Sequence, residues 1–333
     1  MAGIIDIEYA LPSKVLTNEE LEQCFPFWTA EKIYKKTGIR LRHVAEKETA
    51  LDLAVEAAEK LLGKSTIDKK DVDCVIYVTQ SPEYIMPSSA CLLQERLGLD
   101  KHIHAFDINL GCSGYIYGLS IAKAFIESCM FANILLVTAD TYSKYIHPQD
   151  RSTRTIFGDA ATATLVGKRG WSLGECEFGT DGSGSDLFVI RAGGMKMPKT
   201  EVMEEEYLRD DSVCLDNHIY MDGPGIFDFT IREIPDNVAR LLEKANLQKG
   251  DIDLFVFHQA NAFMLDFLRR TLRIDLDKFY MNFSDIGNTV SSSVPIALKR
   301  AMQDSIMDKV NTVVISGFGV GLSWGTMILR KEE

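Results

Sequence analysis

Cys112 is the side chain whose surroundings most favour chemistry. It lies in the segment 107–115 (DINLGCSGY), between an apolar strand-like run and a helical pattern. A thiol at the first turn of a helix is close to free N–H groups and to the positive end of the helix dipole. Both favour the thiolate and lower the pKa of the thiol, so Cys112 is a candidate nucleophile. An isolated cysteine is nevertheless more often a buried core residue, the role assigned to Cys74, Cys91 and Cys129.

A histidine and an asparagine stand at turns in the second half of the chain. His258 follows the buried-strand pattern 251–257 (DIDLFVF), and α/β folds place their sites at the carboxyl ends of parallel strands. Asn288 lies in the segment 285–290 (DIGNTV). Taken singly, both signals are weak. The histidine could merely satisfy a loop, and a Gly-Asn pair usually indicates a turn.

The elements around these residues recur along the chain at a nearly constant separation. Three matches in register indicate an internal duplication, and one of them pairs Cys112 with Asn288. The matched segments, separated by 180, 178 and 176 residues, are 71–77 (DVDCVIY) with 251–257 (DIDLFVF), 133–137 (NILLV) with 311–315 (NTVVI), and Gly111-Cys112 with Gly287-Asn288.

Buried strands alternate with helical patterns in each copy. Short continuous apolar runs are typical of strands covered on both faces. Residues 50–62 and 231–242 have helical spacing upstream of the two aspartate-rich strands. This alternation predicts βαβ units and an α/β fold. We expect two duplicated halves, residues 1–175 and 176–333, with a connecting loop in the Gly-rich segment 179–185.

Composition restricts the class of protein. Hydrophobic residues make up 46% and charged residues 25% of the chain, which is ordinary for a soluble globular protein. No apolar run approaches the ~20 residues that cross a bilayer, and the N-terminus does not resemble a signal peptide, so we expect a cytoplasmic protein. Seven scattered cysteines and six histidines without ligand spacing predict no disulfide framework and no metal site. The formal net charge of −12 argues against binding to nucleic acid or to an anionic membrane.

The ordered motifs of the chain resemble the β-ketoacyl-acyl carrier protein synthase III group of the thiolase superfamily. The resemblance runs over nearly the whole length, and the number of motifs makes it specific. The matching segments are 37–40 (TGIR), 87–91 (PSSAC), 111–114 (GCSG), 150–153 (DRST), 157–160 (FGDA), 181–184 (DGSG), 221–223 (MDG), 258–261 (HQAN), 287–289 (GNT) and 317–325 (GFGVGLSWG).

This resemblance implies a thiolase-like fold, in which two duplicated halves form a layered α/β/α/β/α core. It implies that Cys112 is the nucleophile that accepts an acyl group by thioester exchange. His258 and Asn288 would then stabilise the enolate that forms when a malonyl thioester loses CO₂. The backbone N–H groups of Cys112 and Val320 would form the oxyanion hole for the acyl-cysteine carbonyl. The family often has Gly at the position of Val320.

Substrates and partners also follow from the resemblance. We expect acyl-CoA and acyl carrier protein as substrates, a homodimer, and no separate cofactor. The implied substrate-binding residues are Trp28, Lys36, Met86, Arg151, Phe157 and Phe318.

Several of these positions depart from the family pattern. Lys32 stands where the family commonly has a Trp that stacks on the CoA adenine, and Trp28, one helical turn earlier, could replace it. Phe263 stands in place of a frequent Arg. Met86 occupies the position that reaches across the dimer interface to the partner's acyl pocket, and an adaptable Met there favours a primer other than acetyl.

The expected activity is a decarboxylative Claisen condensation that gives a 3-oxoacyl-acyl carrier protein, as in the initiation of fatty acid synthesis. Two alternatives stay open. One is a related condensing enzyme that makes a specialised acyl group for polysaccharide or secondary metabolism. The other is a non-catalytic partner subunit, which usually loses the nucleophile or a donor. Hydroxymethylglutaryl-CoA synthase fits less well, because it uses a Glu near the position of Gln80.

Overall fold

The computed structural model of the chain describes residues 1–25, 27–65, 67–198, 207–209 and 212–332. Its helices are α1 (Asn18–Cys24), α2 (Ala30–Thr37), α3 (Ala50–Lys64), α4 (Ser89–Leu97), α5 (Gly114–Glu127), α6 (Arg151–Arg154), α7 (Gly223–Lys244), α8 (Ala262–Leu272) and α9 (Ser293–Gln303). Its strands are β1 (Gly3–Ala10), β2 (Val15–Thr17), β3 (Leu41–His43), β4 (Cys74–Val78), β5 (His104–Ile108), β6 (Ile134–Asp140), β7 (Ala160–Gly167), β8 (Trp171–Thr180), β9 (Phe188–Val189), β10 (Tyr207–Arg209), β11 (Ser212–Cys214), β12 (Tyr220–Met221), β13 (Leu254–Phe257), β14 (Thr312–Gly319) and β15 (Ser323–Arg330).

Local sequence signals explain where the long helices begin. At α3, the Thr49 side chain accepts the N–H of Asp52, and the Asp52 carboxylate accepts the N–H of Thr49, which forms a capping box. Helix α7 begins at Gly223, eight residues before the predicted segment 231–242. The Asp222 side chain caps it by accepting the N–H of Gly225.

Nine strands form one continuous sheet in the order β13-β14-β15-β8-β1-β7-β6-β4-β5. Strand β4 pairs in parallel with β5 and β6, and β13 pairs in parallel with β14. Strands β1 and β8 meet through only two residue pairs, Gly3 with Ser172 and Ile4 with Trp171. This narrow contact separates a five-stranded part, β1-β7-β6-β4-β5, from a four-stranded part, β8-β15-β14-β13.

The two parts have the same internal order, and β1, β7, β6 and β4 occupy the places of β8, β15, β14 and β13. A single parallel bridge between Phe255 and Phe279 stands where β5 pairs in the first part. Since β8 begins the second part, the predicted boundary after residue 175 falls inside a continuous strand. The chain passes between the parts at residues 168–170. The Gly-rich segment 179–185, predicted as the connecting loop, does not connect the parts: it begins with the last two residues of β8, where Thr180 pairs with Ser323.

Helices cover both faces of each part of the sheet. Helices α5 and α9 lie between the two parts, where Leu119 and Leu298 share one core with strand residues of both, such as Leu136 and Ile315. Helices α3 and α4 cover the outer face of the first part, and α7 and α8 cover that of the second. The layers therefore alternate as α/β/α/β/α. No helix in the described ranges is both long and apolar enough to span a membrane.

Candidate active site

Cys112 lies between β5 and α5, directly before the first turn of the helix, and only 4% of it is exposed. Glycines make room for its sulfur. A Cβ atom on Gly319 would come within 3.1 Å of Cys112 Sγ, and one on Gly114 would collide with Val78. The strand-to-helix turn that the sequence predicted therefore exists, and it places the thiol at the positive end of α5.

Burial and the negative charge of Asp140 raise the pKa of the Cys112 thiol. The sequence argument predicted the opposite direction, because it considered only the helix dipole and the free N–H groups. Removing a thiolate from water disfavours the charged form. Cys112 is consequently a neutral thiol at rest.

His258 immediately follows β13 and is buried, which lowers its pKa to about 3. Its ring is therefore neutral at physiological pH. Nδ1 lies 2.7 Å from Ser293 Oγ, and that oxygen also accepts the N–H of Gln259 at 3.4 Å. A serine hydroxyl that accepts from Gln259 can donate its own hydrogen to Nδ1. This arrangement favours the tautomer with the proton on Nε2, the nitrogen that faces Asn288.

The Asn288 amide is oriented by its own loop. Its Oδ1 accepts the N–H of Val290 at 2.9 Å, and its Nδ2 lies 3.4 Å from His258 Nε2, so with the proton on Nε2 the two nitrogens are neighbouring donors that do not bond each other. Val290 has φ 54°, a left-handed conformation that costs a β-branched residue about 1–3 kcal/mol. Gly287 has φ 74°, and a Cβ there would come within 2.8 Å of the Ile156 carbonyl. The left-handed conformation of Val290 and the glycine required at position 287 thus define the loop that orients this amide.

A pair of serines links the turn at Val320 to the start of α5. Ser323 Oγ donates to the Val320 carbonyl at 2.8 Å, and Ser113 Oγ lies 2.7 Å from Ser323 Oγ. Because the Ser323 hydrogen is used on Val320, Ser113 is the donor to Ser323. In the part of the chain that the structure describes, no backbone carbonyl accepts the N–H of Cys112 or Val320.

The three predicted catalytic residues meet in one cavity of about 120 Å³. Cys112, His258 and Asn288 all line it, although they come from three separate loops. Its remaining walls are mainly apolar and include Phe157, Phe188, Ile226, Met264 and Phe318. Phe157 also forms a parallel backbone bridge with Asn288, which joins this wall to the loop that carries the amide.

The predicted CoA-contact residues also come together, at a separate place. The Trp28 ring centroid lies 4.6 Å from the Arg151 guanidinium carbon. The ammonium nitrogens of Lys36 and Lys32 lie 4.5 and 4.9 Å from the same ring. Met86, by contrast, is 80% exposed. Within its own chain it lines neither the 120 Å³ cavity nor a second cavity of about 310 Å³ beside it.

Sequence reasoning missed the side chains that orient the predicted residues. Ser293 is the first residue of α9 and ends the run 291–293 (SSS), and that run was the available signal. Ser113 and Ser323 lie inside quoted motifs, but nothing in their spacing shows that they touch. Among the described residues, no group of three or more His, Cys, Asp or Glu side chains is arranged to hold a metal ion.

A cysteine-centred cavity at the junction of two matching α/β parts is the arrangement of a thiolase-type protein. Comparisons with known proteins agree. The family model described as 3-oxoacyl-[acyl-carrier-protein (ACP)] synthase III matches residues 106–182, and the model of its C-terminal part matches residues 242–331.

Full-length relatives resemble the whole chain. The β-ketoacyl-[acyl-carrier-protein] synthase III of Caldanaerobacter subterraneus subsp. tengcongensis is 36% identical over 335 residues, covering 100% of this chain and 98% of that protein. The protein of the same name from Chlamydia caviae is 37% identical over 328 residues, covering 97% and 95%. A 2.1 Å crystal structure of 3-oxoacyl-(acyl-carrier-protein) synthase III is 45% identical, with a TM-score of 0.96 and 99% of both chains covered. The chain belongs to the 3-oxoacyl-[acyl-carrier-protein] synthase III family.

Proposed function

We propose that this chain is an acyltransferase that catalyses a decarboxylative Claisen condensation between an acyl thioester primer and malonyl-acyl carrier protein. The product is 3-oxoacyl-acyl carrier protein, as in the initiation of fatty acid synthesis. The observation that carries this proposal is the shared cavity of Cys112, His258 and Asn288. The relatives' names supply the class of substrate.

In the loading step, Cys112 Sγ attacks the thioester carbonyl of the primer. The carbon–sulfur bond to the carrier breaks, and the cysteine proton ends on the departing thiol. The backbone N–H groups of Cys112 and Val320 donate to the oxygen that becomes negative in the tetrahedral intermediate. The serine pair supports this role, because it ties the Val320 carbonyl to the start of α5.

In the condensation step, malonyl-acyl carrier protein enters beside His258 and Asn288. The bond to CO₂ breaks, and its electron pair builds negative charge on the thioester oxygen. A neutral imidazole with the proton on Nε2 and the Asn288 amide are side-by-side donors for that oxygen. The enolate carbon then attacks the acyl-cysteine carbonyl and expels the Cys112 thiolate, which takes a proton from water. No step requires a metal or a separate cofactor.

The Trp28 cluster is the proposed site for CoA. A nucleobase would stack on the Trp28 ring after displacing a cation from its face, since Arg151 at 4.6 Å leaves no space for a second ring. The displaced cation, together with Lys36 and Lys32, would face the CoA phosphates. Trp28 thereby takes the role that the family gives to the position of Lys32. An enzyme that uses CoA and carrier protein is expected in the cytoplasm.

The exposed edge of β5 favours a homodimer. Strand β5 ends the sheet, so one edge of it lacks a partner strand. A partly exposed aromatic cluster of His104, Phe106, Phe125 and Phe131 adjoins this edge, with ring centroids 5.2–6.4 Å apart. The exposed Met86 loop would then reach the acyl pocket of the partner. Phe106→Asp should shift the protein from dimer to monomer in light scattering, and an unchanged mass would contradict this interface.

Intact-protein mass spectrometry tests the catalytic roles separately. After incubation with acyl-CoA, the wild type should gain one acyl mass, and Cys112→Ser should gain none. His258→Ala and Asn288→Ala should still load the acyl group, but they should form 3-oxoacyl product at least about 100-fold more slowly. No adduct on a folded wild type would favour the non-catalytic alternative. A wild-type condensation rate in Asn288→Ala would refute the role of the amide.

A further inference from the structure

A second cavity, of about 310 Å³, lies beside the catalytic cavity and shares a wall residue with it. Its link to the nucleophile is Gly111, where a Cβ would come within 2.7 Å of Gln80 Oε1 and 3.1 Å of the Tyr142 hydroxyl. Phe188 lines both this cavity and the 120 Å³ cavity. The smaller cavity contains His258 and Asn288, which face the malonyl thioester. Within the part of the chain that the structure describes, the larger cavity therefore remains as the space near Cys112 for the acyl group.

One wall of this cavity is polar, and we call its three side chains, Gln80, Asn109 and Tyr142, the amide row. The other wall is apolar and consists of Phe188, Val189, Ile190, Ile219 and Val320. A simple alkyl chain would leave the unpaired polar groups of the amide row facing hydrocarbon, which is unfavourable.

The hydrogen bonds within the amide row run in one direction. The Tyr142 hydroxyl donates to Gln80 Oε1 at 2.6 Å, and Gln80 Nε2 donates to Asn109 Oδ1 at 3.2 Å. Each amide oxygen already accepts one hydrogen bond and keeps one lone pair, while one N–H of Gln80 and both side-chain N–H groups of the exposed Asn109 have no acceptor among the described residues, so the free donors outnumber the free lone pairs. The row consequently offers donors to the cavity, and its complement is an oxygen that accepts.

The ionisable groups nearby decide the charge of that oxygen. Asp140 is fully buried and accepts the backbone N–H of Gln80 at 2.8 Å. Asp107 lines the adjoining cavity, which also shares Gln80 and Asn109 with the amide row. None of the residues that line the 310 Å³ cavity is a cation, so a carboxylate on the primer would have no counter-charge there, and Lys144 of the adjoining cavity donates to the Glu48 carbonyl. A neutral oxygen needs no counter-charge and still accepts from the amides.

We infer that the preferred primer carries a neutral oxygen, a hydroxyl or a keto group, on the carbons beyond its thioester carbonyl, and that Gln80 and Asn109 donate hydrogen bonds to it. This inference rests on the proposed acyl transfer to Cys112 and names the substrate class of that site. The amide row acts as a specificity determinant and takes no part in bond making or breaking.

The test measures the rate of Cys112 acylation with matched pairs of primers. The pairs are butanoyl-CoA with 3-hydroxybutanoyl-CoA, and pentanoyl-CoA with 4-oxopentanoyl-CoA. In the wild type, the oxygenated member of at least one pair should load roughly tenfold faster or more. Gln80→Leu and Asn109→Leu should each lower that preference about tenfold, mainly by slowing the oxygenated primer.

Two further variants keep the test decisive if a leucine substitution impairs folding. Tyr142→Phe removes only the hydroxyl that fixes Gln80, and it should weaken the preference. Tyr117→Phe removes a hydroxyl that binds the Gly179 carbonyl outside both cavities, and it should leave the preference unchanged.

If the wild type loads the alkyl member of both pairs faster, the inference is overturned and the proposed function stands. The same holds if the variants slow both members of a pair equally. No adduct from any primer would overturn the proposed function and this inference together.

Discussion

At the scale of single residues, burial disfavours the charged forms of Cys112 and His258. Burial raises the pKa of the Cys112 thiol and lowers that of His258 to about 3. A neutral imidazole is a useful donor here, because its Nε2–H can stabilise an enolate without a charge of its own. In the proposed mechanism the rate depends on how these groups are oriented, and Ser293 contacts His258 while Ser323 donates to the Val320 carbonyl.

Removing the Ser293 hydroxyl should damage one half-reaction and spare the other. Ser293→Ala frees Nδ1 of His258, so the ring can adopt the tautomer that presents a lone pair to the enolate oxygen. We expect decarboxylation of malonyl-acyl carrier protein to slow roughly 10–100-fold, with loading of Cys112 unchanged. Ser293→Thr should restore most of the rate. Equal losses in both half-reactions would indicate a general structural role.

Removing the Ser323 hydroxyl should have the complementary effect. Ser323→Ala releases the Val320 carbonyl, so the oxyanion donor loses its fixed direction. We expect slower acyl transfer to Cys112, by about tenfold, while decarboxylation of malonyl-acyl carrier protein without a primer keeps its rate. Quenched-flow measurement of both steps would check this. A variant that loads normally would show that the serine pair has no part in the oxyanion hole.

At the scale of elements, helix α8 presents an aromatic surface beside the mouth of the catalytic cavity. Phe263 and Phe267 are 63% and 40% exposed, and both rings contact Phe227 of α7 at about 5 Å. Met264, next to Phe263, and Ile226, next to Phe227, line the 120 Å³ cavity. The family often has an Arg at position 263. We therefore expect apolar contact with the carrier protein at this entrance, in place of part of the charge attraction.

Restoring a cation at this position should change the salt dependence of the reaction. With malonyl-acyl carrier protein, kcat/KM of Phe263→Arg should fall several-fold more between low and physiological ionic strength than that of the wild type. With malonyl-CoA the two proteins should respond alike. Leu276→Arg places the same charge at a residue that is 63% exposed elsewhere, and it serves as the control. Identical salt curves for Phe263→Arg and the wild type would contradict aromatic docking.

The sequence predicted the helices and strands better than the surroundings and contacts of the side chains in the site. The aspartate-rich runs predicted β4 and β13, because continuous apolar segments show burial directly. It also predicted that Cys112, His258 and Asn288 belong together, although only the duplication and the family motifs connected them. The pKa of Cys112 was predicted in the wrong direction, since burial depends on tertiary packing. The serine contacts were missed for the same reason: Ser113 and Ser323 are 210 positions apart and meet only in the folded chain.

At the scale of the whole molecule, buried carboxyl groups connect stability to pH. Asp140 and Asp159 are fully buried, and desolvation raises their pKa values to about 7 and about 6. Such groups bind protons more tightly in the folded state than in the unfolded state. Their contribution to stability is complete below about pH 4 and is lost as the pH rises through 6 and 7.

Replacing Asp140 should reduce this loss. In Asp140→Asn the side chain no longer titrates. The free energy of unfolding of this variant should therefore rise relative to that of the wild type between pH 4 and pH 8. The relative gain should be at most about 4 kcal/mol. Chemical denaturation at several pH values would measure it. Asp228→Asn, on the exposed side of α7, is the control. A pH-independent difference between Asp140→Asn and the wild type would refute the assignment.

Strand β15 has a consequence for the order in which the protein is made. It comes after all the other strands in the chain, yet it lies in the interior of the sheet, paired with both β14 and β8. Until residues 323–330 have left the ribosome, β8 and β14 have a gap between them and Ser323 cannot hold Val320. Cys112 will have been synthesised more than two hundred residues earlier. During that interval the nascent chain carries the thiol without the proposed oxyanion hole, and we expect acyl transfer to Cys112 only after this strand is inserted.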